Sequence, residues 1–303
     1  MSHKVIVLTG PTGVGKTEIS LKLAAMFHGE IINADASQVR RKLNIGTAKI
    51  DVNTTNIKHH LLDFLDVTEN FSIFDYQNMA RKQIAELFKN EKVPFLVGGS
   101  GLYLNAVLYD YDLSASSRNE EFAQQFAHVS DDDLHKQLQE VDPLAACKIP
   151  RNNRRRVLRA LEIAMSETKK ISTNITKNSP IYDCLLICFN TERSKLYERI
   201  NNRVEAMFAA GWIKECQDLI ADGIELSQIK DIGYQEIGKY LQGLLTLEQV
   251  KAMIKQKTRN YAKRQLTWFR NKMECQFITI DYENREDHIK QTSEMINQFL
   301  EEI

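Results

Sequence analysis

The feature that most constrains this chain is an apolar run feeding directly into a glycine-rich loop. Residues KVIVLT are followed at once by GPTGVGKT, Gly10 to Thr17, and then by apolar residues at helical spacing (Ile19, Leu21, Leu23, Ala24, Phe27). A β-branched run of this length reads as a buried strand, and a 3.6-residue period reads as a helix. The loop between them fits G-x-x-x-x-G-K-[ST], so its backbone N–H groups converge on an anion at the helix N-terminus. Gly10, Pro11, Thr12, Gly13, Val14, Gly15, Lys16 and Thr17 form the expected phosphate cradle. Lys16 would reach an outer phosphate, and Thr17 would offer a hydroxyl to Mg²⁺.

The same alternation continues. GEIINAD reads as a second strand ending on the carboxylate of Asp35, and Ser72 to Asn90 reads as a helix. PFLVGG is a third strand, and it runs into the turn Gly98-Gly99-Ser100-Gly101. Strand–helix alternation predicts a parallel sheet flanked by helices, with ligands at the carboxyl ends of the strands. From the residues alone, Asp35 at that edge is a Mg²⁺ ligand, a general base or a loop cap. The turn at Ser100 is either a second anion cradle or a plain strand-to-helix junction. No obvious Walker-B strand follows, which counts against an ordinary ATPase or small-molecule kinase.

After Tyr109 the texture changes. About 112–181 shows helical periods and no convincing strand until YDCLLICFN, so the expected organisation is a core of 1–111 and 182–303 with a helical insertion between. IPRNNRRRVLRALEI places Arg155 and Arg159 on one helical face, with Leu158, Leu161 and Ile163 on the buried side. Such a face, with Arg156, is either solvated or set to hold phosphates. Further on, TERSKLYERINNRVEAMFAAGWIKECQDLIADG is helical with breaks at Gly211 and Gly223, and Arg203 within it is ambiguous. Thr246 to Asn271 is helical and basic and carries Lys263 and Arg264. Its Ala262, Leu266 and Phe269 recur as a core face would. CQFITID makes a late strand before a terminal helix.

Bulk properties narrow the partners. Lysines plus arginines equal aspartates plus glutamates at 40 each, so nucleic acid could be held only by local basic patches. The five cysteines form no CxxC pair and read as reduced core thiols. No run of about 18 apolar residues exists to span a membrane, and KVIVLTG leaves no signal-peptide pattern, so a cytoplasmic protein is expected. The adjacent His59 and His60 point apart on a strand or helix and make a poor joint metal site.

Ten ordered blocks together carry a resemblance: GPTGVGKT, NADASQV, NIGTAK, HHLLD, FSIFDYQ, VGGSGLYL, NNRRRVLRALE, INNRVEAM, IGYQEI and KQKTRNYAKRQLTWFRN. The chain resembles the tRNA dimethylallyltransferases. The resemblance implies an α/β fold, a P-loop NTPase-like parallel sheet flanked by helices, with an inserted helical domain that closes on tRNA. It implies transfer of a dimethylallyl group from dimethylallyl diphosphate to N6 of the adenosine just 3′ of the anticodon, with Mg²⁺ as cofactor and a monomeric enzyme. Lys16, Thr17 with Mg²⁺, Ser100 and Arg203 would then stabilise the departing diphosphate, and Asp35 would be the general base on the amine. The extruded adenine would lie against Asp35, Ala36, Ser37 and Gln38. Arg155, Arg156, Arg159, Lys263 and Arg264 would hold the phosphates of the anticodon stem-loop.

The alternatives are an adenylate (AMP or ADP) isopentenyltransferase and a non-catalytic tRNA-binding relative. The two basic helices and the helical insertion favour tRNA. The chain also departs from the family pattern. The family usually has Asp-Ser-Met-Gln-Val-Tyr after the second strand, where this chain has DASQVR, with Ala36, Ser37 and Arg40. Ser100 stands for Thr, Lys58 for Pro, Pro150-Arg151 for His-Pro and Lys230-Asp231 for Gln-Ala. The changes at 36–40 bear on how the flipped base is read.

Overall fold

The computed structural model describes residues 4–109, 120–165 and 180–302. Contacts divide the chain into two compact units, 1–108 with 182–303, and 109–181. The expected junction at 111/112 lies outside the described residues, as does the SETKK end expected of the arginine helix.

The larger unit is built on a six-stranded sheet in the order β3-β2-β4-β1-β5-β6, and every pairing is parallel. β1 (Lys4–Thr9) is central and buried along its whole length. It runs into the glycine loop and α1 (Lys16–Met26). β2 is Gly29–Asn33, two residues shorter than the sequence suggests. Pairing with β4 (Val93–Val97) ends at Asn33↔Val97, where the chain turns away and frees Asp35 above the sheet edge. β3 (His59–His60) is a two-residue edge strand. The histidines point apart on it: His60 Nε2 lies 2.6 Å from Glu30 Oε2, and His59 Nδ1 lies 2.8 Å from the Ile57 carbonyl. Among the described residues no group of three or more His, Cys, Asp or Glu side chains could hold a metal.

α2 (Ile73–Lys89) starts on a Ser72–Asp75 capping box and lies against β2, β4 and α3 (Gly101–Leu108). On the opposite face, Ile6 and Leu8 of β1 pack with Ile19 and Leu23 of α1. The same core takes in Leu196 and Ile200 of α8 (Arg193–Ala209) and Ile289 and Ile296 of α12 (Arg285–Glu301). β5 (Asp183–Asn190) and β6 (Gln276–Thr279) complete the sheet. The breaks expected at Gly211 and Gly223 both occur, at φ +98° and +80°, between α8 and α9 (Trp212–Ala221) and just after α9.

The smaller unit contains four described helices: α4 (Glu120–Gln125), α5 (Asp131–Val141), α6 (Pro143–Lys148) and α7 (Arg154–Met165). Leu134, Leu138, Val157 and Leu161 form their shared core. Leu158 is buried as the sequence period requires, while Ile163 is only half-buried.

A second core in the larger unit fixes the functional loops. Leu43, Val204, Trp212, Tyr234 of α10 (Tyr234–Leu241) and Val250 and Ile254 of α11 (Leu247–Lys272) pack together. Glu215 on α9 then takes the loop before β3 in hand. Its carboxylate accepts from the N–H groups of Asn44 (2.9 Å), Ile45 (2.7 Å) and Gly46 (3.1 Å) and from the Tyr234 hydroxyl (2.9 Å). Gly46 has no room for a side chain, because a Cβ there would overlap Trp212 and the Tyr234 hydroxyl. Removing one carboxylate strands four donors, and a charged acceptor is worth more than a neutral one. Glu215→Ala is expected to cost about 2–4 kcal/mol of stability, read by urea unfolding. It should also speed amide exchange at 44–46, while Glu215→Gln costs less.

Candidate active site

The glycine loop closes over the end of β1. Gly10 (φ +141°) lies so near β5 that a Cβ would overlap the Phe189 carbonyl oxygen, and Gly15 (φ +100°) caps α1 in the left-handed region. Thr12, Gly13, Gly15, Lys16 and Thr17 line a cavity of about 270 Å³. Gly10 and Pro11 contribute from beneath: their carbonyls accept from Lys16 Nζ at 2.8 and 2.9 Å. Val14 turns its side chain into the core and is fully buried.

Two arginines from α8 complete this cavity. Arg203 NH1 lies 3.4 Å from Thr12 Oγ1. Arg199, four residues earlier, donates to the Gly13 carbonyl at 3.0 Å and sits 4.0 Å over the Tyr282 ring. The sequence placed Arg199 on the helix but gave it no role. Burial pushes the Lys16 ammonium down to about 8, with the Asp35 carboxylate opposing and Arg203 adding to the shift. Burial also lowers Arg203, against the pull of Asp35. These are cations held out of water with too little negative charge beside them, an arrangement that favours an anion.

Asp35 borders this cavity and a second one of about 280 Å³; the two share Thr12, Thr47, Asp35 and Arg203. The second cavity is walled by Ile200, Val204, Met207, Trp212, Ile232 and Ile254, with polar groups from Ser37, Asp231, Tyr261 and Arg264. Asp35 Oδ1 accepts from the Ser37 N–H at 3.0 Å. Ser37 Oγ donates to Asp231, whose carboxyl is held above the usual carboxylate range by burial. Ser37's hydrogen bond and Arg40 oppose that shift, and the nearby Asp35 charge adds to it. Gln38 borders the phosphate cavity and donates to the Thr47 and Ala48 carbonyls. Ala36 is exposed, and its N–H donates to Ser100 Oγ at 2.9 Å. The Ser100 hydroxyl thus ties the segment after Asp35 to the second glycine turn.

α11 is where sequence reading divides. Ala262 and Phe269 are fully buried, Leu266 is half-buried, and Lys263 and Arg264 are exposed. Its aromatics do not act alike: Phe269 is core, whereas Tyr261 faces the second cavity with Arg264 5.7 Å over its ring. Gln265, on the buried side, accepts from the Thr12 N–H (2.9 Å) and donates to the Gly99 carbonyl (2.9 Å). A glutamine in register with Ala262 and Phe269 is the signal that could have exposed it, since buried amides need partners. In the smaller unit Arg155 and Arg156 are exposed, and Arg159 is half-buried and paired with Glu162 at 2.8 Å. Arg154 serves structure, donating to Asp131 (2.7 Å) and the Val129 carbonyl.

An anion on the loop would raise the Lys16 pKa, so binding takes up a proton wherever free Lys16 is neutral. Affinity for inorganic diphosphate should therefore hold steady below pH about 8 and fall as pH rises through about 8, by up to about tenfold per pH unit. Calorimetry across that range should show the step in the wild type and lose it in Lys16→Met.

The model of the IPP transferase family matches residues 38–272. A tRNA dimethylallyltransferase of Anoxybacillus flavithermus is 45% identical over 282 residues, 92% of this chain and 91% of its own. The crystal structure of the full-length tRNA isopentenylpyrophosphate transferase from Bacillus halodurans has TM-score 0.74 at 38% identity, covering 99% of this chain and 97% of its own. A eukaryotic dimethylallyltransferase described as acting on tRNA has TM-score 0.85 at 26% identity, covering 98% and 79%. The chain belongs to the IPP transferase family.

Proposed function

We propose that this chain transfers a dimethylallyl group from dimethylallyl diphosphate to N6 of the adenosine 3′-adjacent to the anticodon of tRNA, releasing diphosphate. The observation that carries the reading is the shared border of the two cavities, where Asp35 faces the phosphate loop with Arg203 and Lys16 beside it. A carboxylate and a set of buried cations lining one space suit a reaction with a basic and an anionic end. The amine nitrogen attacks the first carbon of the isoprenoid, and the carbon–oxygen bond breaks with its electron pair leaving on diphosphate. One amine proton passes to Asp35. Lys16, Arg203 and the loop N–H groups meet the charge that gathers on the leaving oxygens. The apolar wall of Ile200, Val204, Met207 and Ile254 offers a dry surface to the isoprenoid and the base.

Thr17 lines the phosphate cavity with a hydroxyl that would suit Mg²⁺ held jointly with substrate phosphates. Bound there, the ion would neutralise diphosphate charge. Arg155, Arg156, Arg159, Lys263 and Arg264 are read as contacts to the stem-loop phosphates, and Ser100 as the group that holds Ala36 in place for the base. No described helix is long and apolar enough to cross a membrane, and we read the protein as a cytoplasmic monomer.

Nucleoside mass spectrometry after incubation with tRNA and dimethylallyl diphosphate should show one prenylated adenosine, with AMP unmodified in parallel and ATP unconsumed. Transfer to AMP alone would move the reading to an adenylate prenyltransferase. Asp35→Ala should lower transfer by about 10²–10⁴-fold while stem-loop binding persists; retained transfer would remove Asp35 as the base.

A further inference from the structure

The second cavity holds a carboxylate that the reaction above leaves unused. Asp231 lines it together with Asp35. Ser37 joins the two acids, its N–H donating to Asp35 Oδ1 and its hydroxyl to Asp231 Oδ1. The two carboxylates therefore sit within one residue's span and face one space. Ser37 and Asp231 bond each other across 194 positions of sequence. A half-buried acid whose neighbours include a second acid is costly to keep. Holding Ser37 in place uses only one of its oxygens, since an ionised carboxylate offers about four lone-pair sites.

A primary exocyclic amine carries two N–H donors, and the proposed reaction consumes one. We propose that Asp231 accepts the second N–H of the target base, so that the paired acids orient the amine with its lone pair toward the isoprenoid carbon. The proposal rests on the prenyl-transfer reading. The balance is unchanged by it: nitrogen bonds carbon, the carbon–oxygen bond breaks toward diphosphate, and one proton goes to Asp35. The other hydrogen stays on nitrogen, held by Asp231 before and after transfer. Asp231 thus makes this site selective for an amine that keeps an N–H in the product.

The test uses the full chain with inorganic diphosphate and two anticodon stem-loops, one carrying adenosine at the target position and one carrying purine, which lacks the amine. Wild type should bind the adenosine stem-loop more tightly. Asp231→Asn keeps an oxygen for the Ser37 hydroxyl but replaces the free acceptor with an amide N–H₂. The adenosine-to-purine affinity ratio should fall by about tenfold in it, as expected for a hydrogen bond to a charged group. Its kcat/KM for the stem-loop should fall similarly, with KM for dimethylallyl diphosphate changed less than about twofold. A purely structural Asp231 predicts equal weakening toward both stem-loops, and an unchanged ratio in Asp231→Asn overturns the proposal. Asp231→Ala provides a second reading of the same ratio should the Asn variant fold poorly. If wild type transfers nothing to the adenosine stem-loop, the prenyl-transfer reading itself fails. If it transfers and the ratio is indifferent to Asp231, only this inference fails.

Discussion

The site depends on one buried amide. Gln265 of α11 accepts from the Thr12 N–H of the phosphate loop and donates to the Gly99 carbonyl of the second glycine turn. Those two turns follow β1 and β4, adjacent strands of the sheet, and Gly99 has no Cβ because one would overlap the Gln265 amide. A buried amide with both ends committed is expensive to disturb, since each lost partner leaves a desolvated polar group. α11 also brings Ile254, Thr258, Tyr261 and Arg264 to the second cavity. The phosphate cradle and the wall beside it are therefore both tied to one helix.

Electrostatics follows from that arrangement. Lys16 rests on the Gly10 and Pro11 carbonyls, and Arg199 is fixed by the Gly13 carbonyl and the Tyr282 ring. With their positions set by the fold, the cations need little reorganisation when an anion arrives. In the proposed reaction this matters more than proton transfer alone. Carbon–oxygen cleavage puts charge on diphosphate, and the loop that cradles phosphates in phosphoryl transfer stabilises a leaving group equally well. Asp35 lies on the common border of both cavities.

Much of this was legible from the sequence because the signals are local. The glycine loop, the alternation of short apolar runs with 3.6-residue periods, and the helix breaks at Gly211 and Gly223 each reflect backbone demands met within a few residues. β3 was missed because two residues carry no period, and β2 was read too long because nothing in Ala34-Asp35 marks where pairing to Val97 stops. The site residues that went unassigned share a different character. Glu215 binds a loop 169 to 171 positions away, Gln265 binds Thr12 across 253, and Arg199 binds Gly13 across 186. Each looks like an ordinary helical polar residue until its partner is in place. Polarity on a buried helical face was the available hint for Gln265; no comparable hint marks Arg199, which has charged and apolar neighbours on both sides.

The departures at 36–40 take on a definite meaning in this light. Arg40 does not line the second cavity; its guanidinium donates to the carbonyls of Asp66, Val67 and Glu69 and pins that loop. The Ala36 N–H is taken by Ser100, and Gln38 holds the Thr47 and Ala48 carbonyls. The backbone after Asp35 is thus anchored through three side chains, none of which requires the usual Ser, Met or Tyr. What the substitutions change is the polarity of one wall. Where Met and Ala would present carbon, Ser37 and Asp231 present a hydroxyl bonded to a carboxylate. A solitary acid or a solitary hydroxyl in that position would carry a desolvation cost with no return. That the two occur together and bond each other makes the pair a single unit on the wall of the second cavity.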